Sequence, residues 1–125
     1  MEDLNLELTE IINDSLSVNI TEVEVEELYE IMCKENDFTR EIDGKEYRFI
    51  SENTIEDTYY DEQLELIKEL YFPNENLPWW IEIDWDRTIE NVFNADGYGN
   101  FFSGYDGSEE TFSFDDELWY VFRTN

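Results

Sequence analysis

Acids and glycines crowd the stretch from Asn94 to Glu110, and oxygen ligands at that density suggest a calcium loop. The EF-hand version needs oxygen ligands at positions one, three and five, glycine at six and glutamate at twelve. Counting from Asn94, position five is Tyr98 and position twelve is Tyr105, so the pattern fails. Only weak, adventitious divalent binding to the acids is expected, with no dedicated metal site and no cofactor. Other chemistries fail for want of parts. The chain has no histidine, which removes Ser-His-Asp and Cys-His arrangements and the usual zinc sites. Gly97, Gly99, Gly104 and Gly107 lack both the spacing and the following lysine of a phosphate loop. Cys33 sits near an apolar stripe among acids, surroundings that blunt a thiol's reactivity.

The sharpest enzymatic candidate is Ile81-Glu82-Ile83-Asp84-Trp85-Asp86-Arg87-Thr88-Ile89. It resembles the first motif of the haloacid dehalogenase-type phosphotransferases, an apolar strand followed by Asp-x-Asp-x-Thr. The resemblance implies Asp84 as nucleophile, Asp86 as general acid/base and a magnesium ion nearby. Two features argue against it. Glu82 interrupts a strand that should be buried on both faces, and no lysine follows Lys68 in the roughly forty residues left for the remaining motifs. The simpler reading is an Asp84 N-cap with an acidic first helical turn, which the helix macrodipole favours. No catalytic residue is therefore assigned, and the chain is not expected to be an enzyme.

The elements that position these residues follow from apolar spacing. Leu4, Leu8, Ile11 and Ile12 predict a helix over 3–16. Thr21-Glu22-Val23-Glu24 matches a capping box and opens a helix over 22–35, with Val25, Leu28, Ile31 and Met32 on its inner side. Asp43-Gly44 joins strands 38–42 and 45–50, a pair favoured where both turn positions need positive φ. A third helix is expected over 55–72, with Leu64, Ile67, Leu70 and Tyr71 inward. Pro73 should end it, with Asn74 to Pro78 as a polar connection. A short strand at 79–83, a helix over 85–94 and a turn at 95–99 follow. Strands at 100–105 and 111–114 are expected around a second turn, Asp106-Gly107, before a last strand at 118–123. The order describes one α+β domain with four helices, a hairpin and a C-terminal antiparallel meander. Residues 1–72 form its mainly helical half, and 79–125 an aromatic half of helix plus strands. Core packing is the expectation for Trp79, Trp80 and Trp119, with an exposed hot spot as the alternative.

Charge dominates the rest. The 125 residues carry 34 acids against 7 bases, a formal net charge of -27. Such charge often signals disorder, but 41% hydrophobic and 17% aromatic residues, interleaved with the acids, supply a core. Solubility alone asks for a net charge of magnitude about 2–8 in a small domain. The excess points to charge as the function, against a halophile-type solvated surface as the bland alternative. It also argues against nucleic acid and anionic membranes as direct partners. One cysteine precludes an internal disulfide, no apolar run spans a bilayer, and Met1-Glu2-Asp3 is acidic where a signal peptide is basic. The cytoplasm of a bacterial cell fits all three.

Duplex DNA carries one phosphate charge per about 1.7 Å of axis. A 125-residue domain is about 35 Å across, matching about ten base pairs or twenty phosphates. Acids four apart on a helix lie about 5–6 Å apart, and alternate strand residues about 6.6–7 Å, comparable with phosphate spacing. The candidate surface is Glu22, Glu26, Glu27 and Glu30; Asp57, Asp61, Glu62, Glu65 and Glu69; Asp84, Asp86 and Glu90; Asp106, Glu109, Glu110, Asp115 and Asp116. Ile83-Asp84-Trp85-Asp86 through Ile89, Val92 and Phe93, then Tyr105-Asp106-Gly107 and Trp119-Tyr120-Val121-Phe122-Arg123, resembles the carboxy-terminal part of ArdA-type antirestriction proteins. That similarity covers residues 77–123 and implies a DNA mimic from a mobile element that fills the DNA groove of a restriction enzyme. Phage anti-CRISPR proteins are similar in size and acidity. The expectation is an inhibitor occupying the nucleic-acid channel of a bacterial defence nuclease, a basic partner; a homodimer is compatible. An immunity protein or antitoxin for a toxic nuclease, and a chaperone-like module for basic proteins, are the alternatives.

Overall fold

The computed structural model describes residues 2–72 and 78–125. In these, a helix-helix-strand-strand order occurs twice: α1 (Glu2–Leu16), α2 (Glu22–Lys34), β1 (Asp37–Ile42), β2 (Lys45–Ser51), α3 (Glu52–Tyr71), α4 (Trp85–Phe102), β3 (Glu110–Phe114) and β4 (Glu117–Arg123). The strands form one antiparallel sheet in the order β1-β2-β4-β3. The β2–β4 pairing knits the two halves of the chain together, so the protein is one small α+β domain.

Period-two alternation along each strand sends side chains to both faces, and each face has its own helix pair. Phe49 of β2, Phe112 of β3, and Trp119 and Val121 of β4 meet Leu8 and Ile12 of α1 and Val25 and Leu28 of α2. Phe38 of β1 stacks on Phe49 and meets Trp119 edge-on, with centroids 5.0 and 5.8 Å away. On the other face, Ile50 and Phe122 meet Ile55 and Tyr59 of α3 and Ile89 and Phe102 of α4. The result is a three-layer sandwich, helices over sheet over helices. The α3–α4 pair covers only the central strands, so Thr39 and Glu41 of β1 and Thr111 and Ser113 of β3 stay exposed.

Local chemistry explains the boundaries. At Thr21 the capping box forms as expected: its hydroxyl accepts from the Glu24 amide (3.2 Å) and Glu24 accepts from the Thr21 amide (3.0 Å). Asp43 and Gly44 both take positive φ, which sets the β1–β2 turn. Four expectations need correction. Helix α3 starts at Glu52 and turns Ile55, Tyr59 and Gln63 inward, while Leu70 and Tyr71 are exposed. Residues 79–83 make no strand; Trp79 and Trp80 sit in a turn where the Ile81 amide donates to Pro78. Helix α4 breaks at Gly97 (φ 71°, ψ -174°), inside the expected turn, but a helical segment continues beyond it to buried Phe102. Residues 100–105 are therefore not a strand, and the C-terminal hairpin turns at Asp115-Asp116 instead of Asp106-Gly107. Pro73 to Leu77, the expected stop and most of the connection, lie outside the described residues.

Asp115 and Asp116 both hold positive φ (52° and 63°) without glycine's freedom, beside another acid, Glu117. Aspartate tolerates this region better than most residues but still at some cost. Asp116→Gly is expected to raise stability by about 0.5–1 kcal/mol, read as a higher urea midpoint at unchanged m-value.

Candidate functional site

Seven cations face a large excess of acids, and most of them are used inside the fold. Arg48 on β2 forks both Asp37 (2.7 and 2.9 Å) and Glu62 of α3 (2.6 and 3.1 Å), with its guanidinium 5.0 Å above the Phe102 ring. Arg40 pairs with Glu27 at 2.6 Å. Arg123 lies 3.6 Å from the centre of Tyr105, and Lys68 lies 5.3 Å from Trp85. Among the described residues, only Glu27, Asp37 and Glu62 are ion-paired. The other described acids have no cation within ion-pair distance.

Arg48 thus bridges two elements and neutralises two carboxylates that would otherwise repel. Its guanidinium is raised above its ordinary pKa, first by the hydrogen bonds it donates to Asp37 and Glu62, so it stays charged. Replacing it by methionine keeps the stem over Phe102 but leaves both acids facing each other. Glu62 is 40% exposed, so solvent screening discounts the effect. Arg48→Met is expected to cost about 1–3 kcal/mol in chemical denaturation.

The sequence-derived acids are all exposed except half-buried Glu62, but they do not make one surface. Glu22, Glu26, Glu27 and Glu30 line the outside of α2, on one side of the sheet. Asp57, Asp61, Glu65 and Glu69 project from α3 on the opposite side, where the start of α4 adds Asp84, Asp86 and Glu90. Asp115 lies near Tyr29 of α2, so the β3–β4 turn belongs with the first side. Glu109 lies near Tyr98 and Tyr120 and belongs with the second. Some candidates also have structural jobs. Asp84 caps α4, accepting from the Arg87 amide at 3.1 Å, as the simpler reading of Asp84-x-Asp86 requires. Asp106 accepts from the hydroxyl and amide of Ser108, which hold its carboxyl below the usual carboxylate range, with Ser103 adding to the effect.

No protein-family model, curated protein or solved structure matches this chain. Its site has to be read from geometry.

The richer side is the α3–α4 one. Between these helices runs an open groove of about 640 Å³. Tyr59, Phe93 and Tyr98 wall it, and Glu56, Asp86 and Glu90 rim it. Tyr59 and Phe93 meet edge-on at 5.5 Å, and Phe93 lies 4.5 Å from Tyr98. The Tyr60 hydroxyl donates to Asp86 at 2.7 Å and ties the two helices together. That bond first, then burial and the charges of Asp86, Asp61 and Asp84, holds the Tyr60 phenol above its ordinary range. Burial, Tyr120 and the acids Glu56 and Glu109 do the same for Tyr98.

Sequence reasoning missed Glu56 and the four aromatics. Their signal is Glu56-x-x-Tyr59-Tyr60, one helical turn that joins an outer acid to inner rings. The tryptophans divide: Trp119 is core at 1% exposure, whereas Trp79 and Trp80 are 92% and 67% exposed, against the core expectation for those two. Cys33 is free and exposed. Among the described residues no group of acids or thiols is arranged as metal ligands, and no helix is long and apolar enough to cross a membrane.

Proposed function

We propose that this chain is an acidic DNA mimic, an inhibitor that occupies the nucleic-acid channel of a bacterial defence nuclease. The observation that carries this reading is the partition of charge. Four of the seven cations lie in ion pairs or on rings, while acids on rigid helices stay exposed and largely unpaired. Carboxylates four apart on α3, at about 5–6 Å, offer a basic channel a spacing close to that of phosphates. Both helix pairs are bolted to a common sheet, so the charges are preorganised and little ordering entropy is lost on binding. The chain acts by binding, in the cytoplasm, without catalysis or cofactor. The target is a CRISPR effector or a restriction complex, and its own DNA should displace the inhibitor.

Trp79 and Trp80 favour a second reading. Purely electrostatic mimicry needs no apolar anchor, yet two exposed tryptophans beside acids are the composition of a specific hot spot. An immunity protein for a toxic nuclease would use such an anchor. Pull-down against CRISPR effector, type I restriction and toxin-nuclease preparations, with duplex DNA as competitor, separates the two. Capture of a defence complex that DNA displaces supports mimicry; capture of a small toxic nuclease alone supports immunity.

A further inference from the structure

We propose that the groove between α3 and α4 is a socket for one arginine side chain of the basic partner. The inference rests on the mimic reading for its biology but on the groove for its chemistry. A guanidinium is planar, weakly hydrated and rich in donors, so it fits where rings supply faces and carboxylates supply acceptors. This groove has both: Tyr59, Phe93 and Tyr98 as wall, Glu56, Asp86 and Glu90 as rim.

The basic partner supplies cations and the rim supplies carboxylates, so charge complementarity favours a cationic occupant. The fold supplies its own precedent. Arg48 already sits in such a setting, over the Phe102 ring and between the carboxylates of Asp37 and Glu62. Lysine would bring a compact, strongly hydrated charge with no plane to stack, so arginine is the better occupant.

The test is a titration of the whole chain with N-acetyl-arginine amide, followed by amide NMR at constant ionic strength, with N-acetyl-lysine amide in parallel. Saturable shifts confined to residues 56–60 and 86–98, tighter for arginine, are expected. The Glu56→Gln/Glu90→Gln pair should weaken that binding about 5–10-fold, since it removes acceptors for charge-assisted bonds and leaves the rings. Asp115→Asn/Asp116→Asn, on the other side, should leave it unchanged. Shifts scattered over Glu22 to Glu30 as strongly as over the groove, equal for both cations, would overturn the socket. That result is independent of the mimic reading, which fails instead if DNA does not displace the partner. Should DNA displace it while Glu56→Gln/Glu90→Gln binds it like wild type, the socket fails and mimicry stands.

Discussion

Changing Asp57, Asp61 and Glu65 to lysine is expected to weaken partner binding by about 100-fold or more while leaving the fold intact. The three lie four residues apart along the exposed side of α3, so they present one row of charge. Each change replaces an attraction with a repulsion at the basic channel. About 1 kcal/mol per reversed contact, modest for charges facing a desolvated channel, already gives two orders of magnitude. None of the three carries a structural ion pair, in contrast to Glu62 on the same helix. Folding should improve by a few degrees in Tm, because like charges at i and i+4 destabilise a helix and self-repulsion strains the whole domain. The matching triple, Glu22, Glu26 and Glu30 to lysine, sits on the other side of the sheet. A smaller loss is expected there, since the α3–α4 side also carries Asp84, Asp86, Glu90 and the groove. Equilibrium binding of both triples at two salt concentrations checks this.

Trp119→Ala is expected to cost about 3–5 kcal/mol, a large share of the stability of a domain this size. Trp119 is 1% exposed in β4, pairs across the sheet with Ser51 and Phe112, and packs edge-on against Phe38. Its removal opens a cavity among side chains from β1, β2, β3 and the α1–α2 pair, which cannot all collapse together. Trp79→Ala, by contrast, should stay within about 0.5 kcal/mol, because the ring is 92% exposed. Urea denaturation of both variants against the parent reads the difference directly.

These two tryptophans show where sequence reasoning reaches and where it stops. Trp119 lies in a run of five apolar residues, Leu118 to Phe122, which reads as a short strand buried on both faces. Trp79 and Trp80 are adjacent, so no periodicity assigns them, and tertiary packing left both outside. Local turn chemistry was decisive at Thr21 and Asp43-Gly44, where the capping box and the positive-φ pair have specific side-chain requirements. It misled at the second hairpin. Asp106-Gly107 carries the favoured turn sequence, yet the chain turns at Asp115-Asp116, where two aspartates accept positive φ because β3 and β4 bury Phe112, Phe114 and Trp119 in that register.

The acids themselves were legible, since periodicity placed nearly all of them outside. Their division between opposite sides of the sheet was not. It depends on which face each helix pair covers, and both pairs are amphipathic in the same way. The groove was hidden for a related reason: it needs Gly97 to kink α4 so that Tyr98 meets Tyr59, while that glycine reads locally as a turn.

Binding of the purified chain to basic nuclease complexes, with duplex DNA titrated in at low and moderate salt, tests mimicry most directly. The predicted result is a complex that forms at low salt, weakens steeply as salt rises and dissociates as DNA takes the channel. A complex indifferent to DNA, or one that survives reversal of both the α2 and α3 rows, would contradict it.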